Sequence, residues 1–356
     1  MLRQLRRSVR IALLALLSRL FVITIMWVSN VVFEDLSTSD HLQSYPCDDS
    51  RDDGSAVVQG LERSSWLKSR GSVGLEGMAP WDSVYFVRLA KCGYEDDQIF
   101  AFFPLLPWVM RYGKVAVVSV VRVLQQSVVF GWMDLSGYDD YSIYVGVGLV
   151  VNLVAFCVAA IGLHALSLKT VKDEKVSALA VVMFCLNPAS VFYSAVYTES
   201  LFAMFTWWGM VALAVHTESR ESNSFFPWYW LSVGMFTMAS AVRSNGTLAV
   251  WFLVYHLIRE TLESTKAWDE ELKKIVRTAV GCCMVCGPYV AMQYKGWLTF
   301  CSSGSKVDMP DWCYRNIPSV YTYVQATYWD VGFLNFYEKI KRVSSNLVFH
   351  QHYFFW

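Results

Sequence analysis

The sequence predicts an all-α polytopic membrane protein, and three observations carry that prediction. Hydrophobic residues make up 55% of the 356-residue chain and charged residues only 17%, where a soluble domain carries about 25%. The aromatic load is heavy, with 15 Trp, 19 Tyr and 22 Phe, which suits membrane interfaces. The apolar residues also come in runs of bilayer-spanning length. Together these exclude a soluble globular enzyme, a disordered chain and a disulfide-dense secreted module. Lys+Arg and Asp+Glu balance at 30 each, which excludes a nucleic-acid binder resting on bulk basicity.

The first element is a span over residues 11–33, behind Arg3, Arg6, Arg7 and Arg10. The run could be a cleaved signal peptide, but it is long and no small-x-small cleavage site follows it, which favours a retained span. Residues 1–33 are therefore read as a cytosolic N-terminus and a retained first transmembrane helix. Arg19 interrupts the run and must face protein or snorkel. Residues 34–140 form a large loop on the opposite side, with a flexible acidic insertion at 37–79. Order is expected to return at Trp81. Residues 81–90 place apolar side chains on one helical face but are too short to span, so an interfacial amphipathic helix is expected. FAFFPLLP, from Phe100 to Pro107, is aromatic and proline-broken, again interfacial. Residues 114–133 hold Arg122, Gln125 and Gln126 and are read as a second interfacial helix; the alternative, a crossing, would invert everything after it.

Residues 141–294 supply the transmembrane helix bundle, with spans at 141–168, 176–194, 199–216, 228–242, 246–258 and 277–294. The pair 228–242 and 246–258 is broken near Arg243-Ser244-Asn245-Gly246. Residues 295–345 form a second large loop on the side of the first, and 346–356 start a further, truncated span. This arrangement puts Lys169, Lys172, Lys175, Lys266, Lys273 and Lys274 on the cytosolic side, in agreement with the positive-inside rule.

The opposite face then receives Asp82, Glu95, Asp96, Asp97, Glu199, Arg243, Asp330 and Glu338. A transporter places charges near the midplane. A one-sided polar floor over an apolar bundle instead suits an enzyme acting on a lipid-linked substrate. The sequence has no P-loop, Rossmann fingerprint or HExxH, and Glu95-Asp96-Asp97 is only a weak approach to a metal-binding D-x-D. Cys282, Cys283 and Cys286 sit in an apolar run and read as helix-packing residues rather than a redox or zinc site.

Four stretches carry a family resemblance. They are WDSVYFVRLAKCGYEDDQIFAFFPLLP from Trp81, NPASVFYSAVYTESLFA from Asn187, the turn Val242-Arg243-Ser244-Asn245-Gly246, and Trp312-Cys313 followed by IPSVYTYVQATYWDVGFLNFYE. In this order they resemble the GPI mannosyltransferase 2 (PIG-V-like) family. The resemblance implies a GT-C-type transmembrane helix bundle with interfacial amphipathic helices in the first luminal loop. It implies an inverting α-1,6-mannosyltransferase of the endoplasmic reticulum membrane, active on the luminal face. Its reaction would pass the second mannose from dolichol-phosphate-mannose, as donor substrate, to the GPI-anchor precursor. Implied partners are membrane lipids, the lipid-linked donor, the precursor glycolipid and a small membrane subunit, with no nucleic acid. No cofactor is assigned, and a divalent metal is left open. Alternatives are another dolichol-phosphate-mannose-dependent GT-C transferase, or a non-catalytic membrane subunit or lipid transporter. Family members continue with further helices where this chain drifts after Glu338.

Inversion needs one carboxylate base opposite the leaving phosphate. Asp82, after Trp81 at the start of the interfacial helix, could be that base or merely the N-cap of its helix; the resemblance favours the base. Trp329-Asp330 is the competing pair, and the resemblance makes Asp330 structural. Trp81, Asp97, Glu199 and Arg243 are the candidate substrate-binding residues. Asp97 orients the acceptor, holds a cation or is a solvated loop charge. Glu199 is an acceptor ligand or an ordinary helix-start carboxylate. Arg243 pairs with the donor phosphate or snorkels. No metal ligand is assigned. In an oxidising lumen, Cys301 and Cys313 are expected to pin the last loop, with Cys47 and Cys92 leaving the pairing open.

Overall fold

The computed structural model describes residues 2–32, 47, 78–125, 140–218, 226–263, 268–302, 309–332, 335 and 337. Helices dominate them, and no strand occurs among the described residues. The expected insertion at 37–79 lies almost wholly outside the described residues, as do Glu338 and the expected further span at 346–356. The chain divides into two compact units, residues 1–93 with 102–289, and residues 94–101 with 290–356.

The first unit opens with α1 (Leu2–Val32). One face of α1 leaves Leu13, Leu17, Phe21 and Ile25 exposed, while Ala15 and Arg19 are fully buried on the other. That division is what a helix edged by lipid requires. Next comes α2 (Ser83–Cys92), short and amphipathic, burying Val84, Phe86, Val87 and Leu89. It packs on α3 (Leu105–Gln125). The hub is α4 (Asp140–Val171), which touches α1, α2, α3, α5 (Glu174–Cys185), α6 (Ser190–Ser194) and α7 (Glu199–Glu218). Its Phe156, Ala159 and Ala160 join Val181, Phe184 and Cys185 of α5, Ala15 of α1 and Ala203 of α7 in one core. Small side chains there let helix backbones approach without a hydrophobic driving force from lipid. The other side of α7 carries α8 (Phe226–Val242). A 3-10 turn at Ser244–Ala249 leads into α9 (Val250–Leu262). Finally α10 (Trp268–Phe300) runs from the first unit into the second.

Among the described residues, four helical segments are long and apolar enough to cross a membrane by themselves: Arg6–Val32, Asp140–Val171, Glu199–Glu218 and Trp268–Phe300. The protein is thus a multi-pass, all-α membrane protein.

Two element boundaries differ from expectation. The span expected at 176–194 is broken: α5 stops at Cys185 and α6 restarts at Ser190. Pro188 drives Asn187 out of helical backbone, and Asn187 Oδ1 accepts the Ala189 N–H at 2.7 Å, an Asx turn that starts the new helix. The expected separation of FAFFPLLP from a helix at 114–133 also fails, because α3 begins at Leu105 and runs to Gln125 without a break. Proline is tolerated in a first helical turn, where its missing N–H has no partner to lose, so Pro107 does not interrupt it. Residues 126–133 lie outside the described residues.

In the second unit a 3-10 turn at Gln98–Ala101 packs on α11 (Val320–Tyr328). Phe100 meets Phe300 edge-on at 5.5 Å, and Trp312, fully buried, meets Phe300 and Tyr323. Ser319 caps α11 by accepting the Thr322 N–H. Cys301 and Cys313 form a disulfide in this unit, and Cys47 and Cys92 form another in the first.

Candidate active site

The site is built from the break between α5 and α6. Arg19 of α1 is buried among apolar helices, so each N–H must find an acceptor. It donates to Cys185 O at 2.8 Å, Ser190 O at 2.9 Å and Ser194 Oγ at 3.2 Å, and its guanidinium lies 4.1 Å from the Phe156 ring centre. The bond to Cys185 O serves a carbonyl at the end of α5, where the helix break removes later intrahelical donors. Asn152, a lone amide in the apolar run of α4, donates to the carbonyls of Ala195 and Tyr197, the latter at 2.8 Å. Arg19 and Asn152 thereby fix α6 and the 195–198 turn from two sides.

That turn presents Tyr197, whose Oη accepts the Asp82 backbone N–H at 3.0 Å. Trp81, exposed, stacks on Phe192 of α6 with ring centres 5.6 Å apart. Its φ is +49°, in the left-handed region that bulky residues rarely occupy. The chain therefore turns sharply at Trp81 and delivers Asp82 to the mouth of α2. Asp82 makes no side-chain capping bond to its helix, so capping does not explain its carboxylate.

Two residues after Tyr197, Glu199 begins α7. Its Oε1 pairs with Arg243, while its buried Oε2 has no hydrogen-bond partner among the described residues. Arg243 sits in extended backbone at the end of α8, just before the 3-10 turn. Gly246 makes that turn possible: a Cβ there would lie 2.5 Å from the backbone of Ala239 and Ser240.

These groups shape the charge of Asp82. Its side chain opens outward, yet surrounding protein desolvates the carboxyl and pushes its pKa up; Glu199 adds to the rise and Arg243 opposes it. Burial likewise raises the pKa of the Tyr197 hydroxyl, with the Asp82 charge adding to it. A carboxyl so tuned, with an open acceptor and a guanidinium close by, can take a proton from a hydroxyl while a neighbouring anion is stabilised.

The structure thus brings Trp81, Asp82, Glu199 and Arg243 into one cluster in the first unit. Asp97 belongs to the second unit, where its Oδ1 accepts the Tyr328 hydroxyl at 2.8 Å. Desolvation, with Asp97 adding, pushes Tyr328 up to about 12. Asp330, also in the second unit, has a φ of +51° and lies 3.4 Å from the Asn335 amide through Oδ1. Sequence reasoning did not single out Tyr197 or Asn152. A lone amide inside an apolar span is costly unless it has a task, and that signal could have found Asn152. Tyr197 carried no signal beyond standing two residues from Glu199.

A family model described as mannosyltransferase (PIG-V) matches residues 8–350. The chain is 29% identical over 297 residues to the GPI alpha-1,6-mannosyltransferase 2 of Mus musculus, covering 77% of this chain and 55% of that protein. The protein of the same name from Homo sapiens is 30% identical over 297 residues, with the same two coverages. The GPI mannosyltransferase 2 of Drosophila melanogaster is 26% identical over 350 residues, covering 92% of this chain and 70% of that protein. The chain spans about half the length of the mammalian relatives it matches. No solved structure matches the chain.

Proposed function

The chain belongs to the mannosyltransferase (PIG-V) family, and from that premise we propose that it transfers mannose in α-1,6 linkage from dolichol-phosphate-mannose to a GPI-anchor precursor. The reaction takes place on the luminal face of the endoplasmic reticulum membrane, where the precursor receives its second mannose. The names of the relatives support the reaction class. The single observation that carries the reading to residues is the cluster of Asp82, Glu199 and Arg243, with a raised carboxyl at its open edge.

The acceptor hydroxyl approaches Asp82 from outside the bundle. Asp82, ionised, takes the hydroxyl proton as the oxygen attacks the anomeric carbon of the mannosyl phosphate. The new carbon–oxygen bond forms as the anomeric carbon–phosphate oxygen bond breaks on the opposite face, which inverts the configuration. The dolichyl phosphate leaves with the electron pair, and Arg243 stabilises the charge it gains. Glu199 Oε2, buried and without a hydrogen-bond partner among the described residues, accepts a hydrogen bond from an acceptor hydroxyl and so orients it. Glu199 Oε1 meanwhile holds Arg243 in place. Trp81 offers an exposed ring to the sugar's apolar face. The lysines of the 169–175 and 259–277 segments face the cytosol in this reading, which agrees with the positive-inside rule.

The test is direct. Membranes lacking this transfer step, supplied with the full chain, donor and a singly mannosylated precursor, should form the two-mannose product. No product, with the chain present and inserted, would reject the reading; product on an N-glycan precursor instead would reassign the acceptor.

A further inference from the structure

Far from Asp82, at the other end of α7, lies a second polar cluster that the proposed transfer does not use. His216 stands seventeen residues after Glu199 on one helix, about 25 Å away at the rise of an α-helix. It meets His256 and Glu260, which lie one turn apart on α9. All three are buried, at 0%, 6% and 4% exposure. One donor atom from each lies within 4.8 Å of the other two. His256 Nε2 stands 3.4 Å from Glu260 Oε1. That spacing is long for a hydrogen bond. It equals the separation of two ligands on a tetrahedral zinc ion with bonds of about 2.0–2.1 Å.

The surroundings orient these donors. Thr217 Oγ1 lies 3.4 Å from His256 Nδ1, which leaves Nε2 turned toward Glu260. Arg277 of α10 donates to Glu260 Oε2 at 2.6 Å and lies over the Tyr229 ring, 4.2 Å from its centre. Arg277 thus holds one carboxylate oxygen and leaves the other to the cluster. Lys274 Nζ approaches the Glu260 carbonyl, not its carboxylate. The His216 ring packs 5.4 Å from Tyr229 and 5.2 Å from His256. Partners that fix the tautomer and orientation of ligands are what metal sites require outside the ligands themselves.

We propose that His216, His256 and Glu260 bind one zinc ion that ties the last turn of α7 to α9. Two imidazoles and one carboxylate suit zinc better than calcium or magnesium, which take oxygen ligands. Water completes the coordination. The ion is structural, since it sits a helix length from the reacting groups.

The full chain, purified without a polyhistidine tag and stripped by a chelator, is titrated with Co2+ and with Zn2+. The expected result is saturation at one ion per chain, with the intense visible bands of tetrahedral Co2+ and no thiolate charge-transfer band. Zn2+ should displace the Co2+ and raise the unfolding temperature of the stripped chain. Affinity should fall at least about tenfold in His216→Gln and in Glu260→Gln, and persist when Cys282, Cys283 and Cys286 are all changed to Ser. No saturable binding by the wild-type chain would overturn the proposal, even if the variants fail to fold. So would unchanged binding in a folded His216→Gln, or loss of binding in the cysteine variant.

Discussion

Gly246→Ala offers a sharp probe of how the fold aims Arg243. The added Cβ would fall 2.5 Å from Ala239 C, Ala239 O and Ser240 Cα, all backbone atoms of α8. No rotamer change can relieve such a contact. Ordinary contact begins at 3.4 Å, so turn and helix must part by about 1 Å, a displacement that costs about a hundredfold in rate when it misplaces a group at the reacting centre. Arg243 moves with the turn, because its carbonyl accepts the Gly246 N–H at 3.0 Å and its own N–H reaches Ala239 O at 3.1 Å. Overpacking should also cost about 1–3 kcal/mol of stability. Gly234→Ala is the control: it lies in the same helix with open space around its Cβ position, and should gain about 0.5–1 kcal/mol from helix propensity. Thermal unfolding in detergent and mannosyl transfer by the full chain read both effects. If Gly246→Ala matched the wild type in both, or Gly234→Ala proved the more damaging, the packing of the turn on α8 would not be what positions Arg243.

Three other outcomes are expected. Glu199→Gln removes a charge that raises the Asp82 pKa, so the acid limb of kcat/KM should move to lower pH, as measured by a pH–rate profile; an upward move would contradict the coupling. Asp82→Asn should stabilise the chain at pH 7. A carboxyl raised above its ordinary 3.8 binds more protons folded than unfolded, so its stabilising contribution is complete below pH 3.8 and lost as pH rises through the folded value. The gain from the substitution should therefore vanish in unfolding measurements below that pH. Asn152→Ala removes the amide donor from the Tyr197 carbonyl and leaves the Ala195 carbonyl with only the Tyr197 N–H, which should cost about 1–3 kcal/mol and weaken transfer, since Tyr197 holds the Asp82 backbone.

The helices at 141–168 and 199–216 were legible because long apolar runs have few other ways to satisfy a backbone in lipid. The amphipathic helix after Trp81 was legible from its one-sided apolar pattern. The break after Cys185 was not, because a proline inside an apolar run reads equally as a tolerated kink. Only the Asn187 side chain, which closes an Asx turn, decides it. Within the site, the residue types of Asp82, Glu199 and Arg243 drew notice as charges beside apolar spans. Their meeting in one cluster depends on Arg19 and Asn152, whose partners lie 43 or more residues away in sequence, and no local pattern records such long-range bonds. The zinc cluster escaped for the same reason: His256 and Glu260 show helical spacing, but His216 comes from a different helix.

The measurement that bears most directly on the mechanism is the turnover of Asp82→Asn under saturating donor and acceptor, in membranes containing equal amounts of folded chain. General-base assistance contributes about 10²–10⁴-fold, so transfer should fall by at least that factor while donor and acceptor still bind. Turnover within a few-fold of the wild type would show that Asp82 does not take the proton, whatever the likeness of the surrounding residues.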